Sequence, residues 1–333
     1  MNLDRRTLLK LAAVFAGWVA MGRGIAMDKS PRAETANRPG NDAQNGWAID
    51  ASSNFKAVYG DPQMKAAFLL FLTNVYHLFP EDRFHRLIEE VSRAARSDKE
   101  IYAQVQARIP EIKPMLGDFR YALPALSKQK TEMAAQTLEL LGPARKIDGY
   151  MEIGTTGRYA GRIRSAIDLQ GDLVLVNTDQ PGYSPVDIVE RGGIGKVGRF
   201  VALKDYAPVP SSEVKEGSLD LVSNFIGFHH SPLPKLDPFV RSLHRVLRPG
   251  GRMIVRDHDV SSPQMNRMVA LAHDVFNMGL GTEWAANQQE LRHFTSLAQL
   301  VAYLEERGFR SGARTLFQEG DPTRNALMVF RRV

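Results

Sequence analysis

Two hydrophobic periods divide the chain. Between residues 60 and 140 the apolar positions recur at helical spacing. Phe68, Phe71, Leu72, Val75 and Phe79 fall on one stripe, and Phe84, Leu87, Ile88 and Val91 continue it. Pro80 separates the two runs, and Glu81-Asp82 suit the start of the second helix. Pro110, Pro114 and Pro124 punctuate the next stretch. Ser127 to Leu141 then reads as a helix closed by Gly142-Pro143. No strand pattern occurs here, so residues 51–144 are expected to form a helical extension or cap. Their aromatics lie on the helical stripe and are read as core.

From Asp148 the period changes. Short apolar runs at Gly149–Ile153, Leu173–Val176, Arg199–Leu203, Leu219–Ile226 and Met253–Val255 alternate with helical stretches. Continuous apolar runs are the mark of parallel strands buried on both faces. The pieces between them are long enough for crossover helices. One helix starts at Ser184-Pro185-Val186-Asp187, with a capping serine and proline in the first turn. Another presents Leu236, Phe239, Val240, Leu243, Val246 and Leu247 on one face, and Arg248-Pro249-Gly250-Gly251 stops it. Helices are expected over 264–278 and 296–307, and strands over 312–318 and 326–332. The whole predicts an α/β, doubly wound sheet behind an N-terminal helical extension.

Composition adds one feature. The chain has 333 residues, no cysteine and a formal net charge of +6. Without cysteine there is no disulfide, thiolate metal site or cysteine nucleophile. Four basic residues (Arg5, Arg6, Lys10, Arg23) and one acidic residue (Asp4) lie within the first 26 positions, so half the net charge sits there. No later segment carries a basic run, and nucleic acid is not an expected partner. Asp4-Arg5-Arg6-Thr7-Leu8-Leu9-Lys10, the apolar stretch Leu11–Met21 and the small residues Gly24-Ile25-Ala26 resemble a twin-arginine export signal over residues 1–26. That resemblance implies recognition by the twin-arginine translocase and a periplasmic destination. An uncleaved signal would instead leave the chain tethered to the inner membrane, or the protein is cytoplasmic. Residues 27–50 have the composition of a linker.

The candidate chemistry lies in three blocks. Glu152-Ile-Gly154-Thr155-Thr-Gly157-Arg158 follows the first strand. Gly217-Ser-Leu-Asp220 leads through the fourth strand to His229-His230. Leu243-His-Arg-Val-Leu-Arg-Pro249-Gly250-Gly251 leads through the fifth strand to Asp257. Their order and spacing over residues 145–333 resemble class I S-adenosylmethionine-dependent methyltransferases. The resemblance implies a Rossmann-like, seven-stranded methyltransferase sheet ending in an antiparallel strand beside the fifth. It also implies S-adenosylmethionine as cofactor and a small-molecule acceptor. The glycine loop is one residue shorter than the common family pattern.

The same resemblance distributes roles. Gly154, Thr155 and Gly157 would lie against the methionine part of the donor, with Glu152 positioning its amino-acid end. Asp179, or Asn177 in its place, would hold the ribose. Asp205 would read the adenine, with Tyr206 packing on the ring. Asp220 is expected to be structural. His258, flanked by Asp257 and Asp259, is the first candidate for a general base and His230 the second. His273, Asp274, Asn277, Trp284, Glu290, Arg292 and His293 come after. This density of imidazoles and carboxylates also suits a metal. Its spacing matches no tight metal motif, and no metal is expected. Two rival readings remain: an exported binding module without turnover, and a nicotinamide-dependent oxidoreductase. The Arg-Pro-Gly-Gly block and the lack of a Gly-x-Gly-x-x-Gly loop argue against the second rival.

Overall fold

The computed structural model describes residues 53–114, 121, 123–143, 146–195 and 197–333. The expected export signal and linker lie outside the described residues. Among the described residues no helix is long and apolar enough to cross a membrane.

The helical extension consists of α1 (Asn54–Gly60), α2 (Pro62–Phe71), α3 (Glu81–Ala94), α4 (Asp98–Ile112) and α5 (Leu123–Leu141). Polar side chains start three of them. Ser53 accepts from the Lys56 amide, Asp61 from Gln63 and Met64, and Ser97 from Glu100. The stripe from Phe68 to Phe79 is not one helix. A π-helical turn at Leu72–Tyr76 follows α2, and His77 ends it in the left-handed region with φ of 47°. The apolar stripe survives this break because Leu72, Tyr76 and Phe79 all stay buried. α5 begins four residues before Ser127, since Pro124 stands in its first turn, where proline is tolerated.

The second part is a seven-stranded sheet in the order β3-β2-β1-β4-β5-β7-β6. Its strands are β1 (Lys146–Ile153), β2 (Asp168–Asn177), β3 (Arg199–Ala202), β4 (Leu219–Asn224), β5 (Leu247–His258), β6 (Phe309–Phe317) and β7 (Asn325–Arg332). Strands β1 to β5 pair in parallel, and β7 runs antiparallel beside β5. This is the doubly wound, seven-stranded sheet with an antiparallel strand beside the fifth that the resemblance implies. Its helices are α6 (Ala160–Ala166), α7 (Pro185–Arg191), α8 (Leu233–Val246), α9 (Pro263–Gly279), α10 (Trp284–Gln289) and α11 (Leu297–Glu305). The Arg248-Pro249-Gly250-Gly251 block is not a separate turn but the irregular start of β5. There the register against β4 shifts between Leu219 and Leu221, and Gly250 takes a φ of 77°. Asp220 works at this non-site edge: it accepts the Asp148 amide at 2.7 Å and pairs with Arg248 at 2.7 Å.

The two parts share a core. Met268, Leu271, Ala272, Val275 and Met278 of α9 pack into the same cluster as Phe55, Phe68, Phe84 and Tyr102 of the extension. The extension is therefore built around a helix of the 145–333 segment. Tyr102 donates to the Thr282 carbonyl at 2.8 Å across the same boundary.

Candidate functional site

Ligands of open α/β sheets sit beyond the carboxyl ends of the parallel strands, where the strand order reverses. Here that edge lies between β1 and β4, and the loop after β1 is its floor. Glu152 is fully buried at the end of β1. Its carboxylate accepts from the Tyr150 hydroxyl at 2.9 Å, the Tyr159 amide at 3.2 Å and the Thr155 hydroxyl. Burial pushes the Glu152 carboxyl up, against the pull of these donors. Thr155 in turn accepts from the amides of Gly157 and Arg158, both at 3.2 Å. Glu152 and Thr155 thus tie the loop together from inside instead of reaching toward a ligand. Gly154, with φ of 81°, is fixed by packing as well: a Cβ there would lie 2.2 Å from the Ile226 side chain. Gly157 is also in the left-handed region. The Arg158 guanidinium is buried against Glu190 of α7 at 2.7 Å.

Two residues that sequence reasoning passed over face this edge with unmet hydrogen-bonding capacity. Thr156 stands in the loop and Asn224 ends β4 opposite Ile153 of β1. The Thr156 hydroxyl and both amide atoms of Asn224 are buried and have no partner among the described residues. A buried amide without partners costs about 1–3 kcal/mol, and a bound polar ligand relieves that cost. The signal for Asn224 was present in the sequence as a polar residue inside the largely apolar run Leu219–Ile226.

The ribose and adenine candidates fare unequally. Asn177 is buried at the end of β2 and its Oδ1 accepts the Thr178 amide at 2.9 Å. Asp179 is exposed two residues on. Lys204, Asp205 and Tyr206 form a left-handed turn, with φ of 43°, 55° and 57°. This turn sends Asp205 outward to an ion pair with Lys235 and Tyr206 inward. The Tyr206 ring is fully buried edge-on to Phe239, inside the sheet core and not open for an adenine to stack on.

Four histidines gather at the other half of the edge. His229 and His230 follow β4, His258 ends β5 and His273 lies on α9, and all four are buried. The His229 ring is 4.2 Å from that of His230, 5.4 Å from His273 and 5.7 Å from His258, centroid to centroid. Phe294 packs against three of them. The roles expected of the flanking carboxylates need correction. Asp257 holds the His229 ring, at 2.5 Å from Nδ1, and not that of His258. Of His258 it touches only the backbone amide, at 2.9 Å. Asp259 pairs with Arg324 at 2.8 Å and accepts the Leu297 amide at 3.2 Å. The His258 ring instead donates from Nδ1 to the Thr323 carbonyl at 2.9 Å. Burial, with the neighbouring His229, pushes the His258 imidazole down from 6.5 to about 3. Its proton affinity is therefore lowered, where an adjacent carboxylate was expected to raise it. Burial holds His230 and His273 well below the ordinary histidine range too. Burial alone would raise Asp257, but the His229 ring and the His258 amide hold its carboxyl below the usual range.

A polar network backs the cluster. Arg292 donates to Asp274 at 2.7 Å, to Asn287 at 2.7 Å and to Glu290 at 2.8 Å. Asn277 donates to Asn287 and Glu290 at 2.8 and 2.9 Å. The His293 amide donates to the His229 carbonyl at 2.8 Å, so this segment folds across the histidine pair. Trp284 packs on Tyr102 of the extension, away from the rings.

Comparison with curated proteins gives no match. Among solved structures, the chain is similar to the 1,6-didemethyltoxoflavin-N1-methyltransferase of Burkholderia thailandensis, which has bound 1,6-didemethyltoxoflavin and S-adenosylhomocysteine. The identity is 16%, over 72% of this chain and 92% of that one, with a TM-score of 0.41. An O-methyltransferase family protein from Burkholderia thailandensis is 13% identical over 84% of this chain and 72% of its own, at 0.43. The N-methyltransferase NodS of Bradyrhizobium japonicum, in complex with S-adenosyl-L-homocysteine, is 13% identical over 61% and 86%, at 0.38. Residues 203–255 match the family model of a methyltransferase domain, a stretch that runs from the end of β3 through β4, His229-His230 and α8 into β5.

Proposed function

We propose that the protein transfers a methyl group from S-adenosylmethionine to a small-molecule acceptor. The observation that carries this reading is the methyltransferase-domain match over residues 203–255, set in a sheet of the order β3-β2-β1-β4-β5-β7-β6. The buried, unpartnered Thr156 hydroxyl and Asn224 amide fit a polar ligand at the same edge. Bound there, the donor supplies an electrophilic methyl on a positively charged sulfur. An acceptor's lone pair would take that carbon as the carbon–sulfur bond gives its electron pair back to sulfur, leaving S-adenosylhomocysteine.

The chain's own part is mainly alignment, which by itself lowers such a barrier substantially. Thr156 and Asn224 are the first candidates to hold the donor, with Asp179 open to solvent for the ribose hydroxyls. Asp205 contributes to adenine only if its pairing with Lys235 opens. His258 and His230 stay neutral at physiological pH. A base of such low proton affinity accepts a proton poorly, so an acceptor that reacts without losing one first suits this site better. Titration calorimetry of the full chain with S-adenosylmethionine and S-adenosylhomocysteine tests the reading. Micromolar binding of both is expected; no heat and no thermal shift at millimolar ligand would remove it.

A second reading, binding without turnover, is favoured by the closed loop in which Glu152, Thr155 and Arg158 are all buried. It predicts retained donor that is never converted to S-adenosylhomocysteine with any acceptor mixture.

Export by the twin-arginine route rests on Arg5-Arg6 and the apolar run behind them. That route moves folded proteins, so a bound donor would travel with the chain. Replacing both arginines by lysine should keep a reporter fusion in the cytoplasm. Equal export of the two fusions would defeat the assignment.

A further inference from the structure

We propose that His229, His230 and His273 form a binding site for a divalent first-row transition-metal ion, with zinc the first candidate. One ligand nitrogen from each lies within 4.8 Å of the others. Nitrogens on a tetrahedral zinc with bonds of 2.0–2.1 Å lie about 3.3 Å apart, so side-chain adjustment on metal binding has to close the widest pair by up to about 1.5 Å.

The orientation of the rings is the stronger argument. The group next to His230 Nδ1 is the Leu291 carbonyl, at 3.1 Å. A carbonyl only accepts, so Nδ1 carries the hydrogen and Nε2 the lone pair. The group next to His229 Nδ1 is Asp257, whose carboxylate also accepts the Phe228 and His258 amides, both at 2.9 Å. With two amides already donating to it, Asp257 acts as acceptor toward the ring, so His229 Nδ1 carries a hydrogen and the neutral ring has its lone pair on Nε2. Imidazoles that bind a metal through Nε2 are held in this way, with Nδ1–H on a carboxylate or a backbone carbonyl. His273 completes the set from α9, with Glu290 at 3.8 Å from its Nδ1. His258, anchored by Thr323, repeats the tautomer beside the set.

The donor chemistry selects the ion. Neutral imidazoles suit zinc, copper, nickel and iron, and discriminate against magnesium and calcium. Four of the chain's eight histidines converge on this one place. The site stands on side-chain geometry alone and is independent of methyl transfer.

The test uses the untagged full chain, which has no cysteine to compete for metal. After chelation and dialysis it is titrated with cobalt(II) and followed by visible absorption. One equivalent should give the intense bands of a four-coordinate ion, and one equivalent of zinc should abolish them. Zinc should also raise Tm. His230→Asn and His273→Asn should each weaken zinc binding about a hundredfold or more, whereas His85→Asn, outside the cluster, should not. A folded parent chain that takes up neither cobalt nor zinc overturns the proposal, whatever the variants do. So does uptake that His230→Asn and His273→Asn, both folded, leave unchanged.

Discussion

Two buried polar clusters stand at the same edge of the sheet and are built on opposite rules. Around Glu152 every group faces inward: Tyr150, Thr155 and Tyr159 all donate to one carboxylate, which completes a loop and leaves little over for a ligand. Around His229 the anchors that orient the rings meet them at Nδ1. Asp257, Leu291 and Thr323 take the Nδ1 face of three rings, and the other faces converge on one another. The first arrangement fixes a backbone. The second presents lone pairs. Burial and charge density alone do not distinguish them; the direction in which each hydrogen bond is spent does.

Substitutions sharpen this contrast. The largest effect is expected from Glu152→Ala, which strands the Thr155 hydroxyl and the Tyr159 amide in a fully buried site and leaves the Tyr150 hydroxyl with Ser223 alone. Each stranded group costs about 1–3 kcal/mol, so stability should fall by ~3 kcal/mol or more, read as a lower denaturation midpoint. If that variant is as stable as the parent, the loop is not held from inside.

Acid should act on the histidine cluster instead. In the chelated chain the folded state keeps His258 neutral down to about 3, while the unfolded state protonates it near 6.5. Between those values the unfolded chain binds more protons, so stability present above pH 6.5 is lost as pH falls. For His258 alone the loss from pH 7 to 5 is about 2 kcal/mol. Urea unfolding should therefore show a steeper decline for the parent than for His258→Leu. Parallel pH profiles would contradict this.

Asn224→Ala should not lower the stability of the donor-free chain, because no protein partner is lost and an unpaired buried amide is removed. Donor affinity should nonetheless drop roughly fivefold to tenfold, the worth of one or two hydrogen bonds. A variant that loses stability but not affinity would turn Asn224 into a packing residue.

The parallel strands and their order of appearance were legible in the sequence because buried parallel strands leave continuous apolar runs; the antiparallel placement of the last strand was expected only from the family resemblance. The capped helices that open at Ser184 and, one residue later than expected, at Leu297 were legible too. The break after Leu72 was not, since a π turn keeps the apolar residues on nearly the same face. Neither was the fate of Tyr206, because a left-handed turn at Lys204–Tyr206 inverts which neighbour faces the core. The histidine cluster shows the deeper limit. Its members come from a loop, a strand end and a helix, so no spacing along the chain reports their meeting. Adjacency in sequence misled in the same place: Asp257 sits beside His258 in the chain, yet its carboxylate is aimed at the ring of His229.

Helix α9 has one more consequence, which concerns the order in which the chain is made. Asn54 hydrogen-bonds Asp274, 220 residues further along. The apolar face of the first helices is covered by Met268, Leu271 and Val275. A growing chain therefore carries Phe68, Phe71 and Phe84 uncovered until most of the sheet has emerged from the ribosome. Exposed apolar helices at that stage are a target for chaperones and a risk for aggregation. Synthesis that stops anywhere before α9 yields an N-terminal fragment with no way to finish its core.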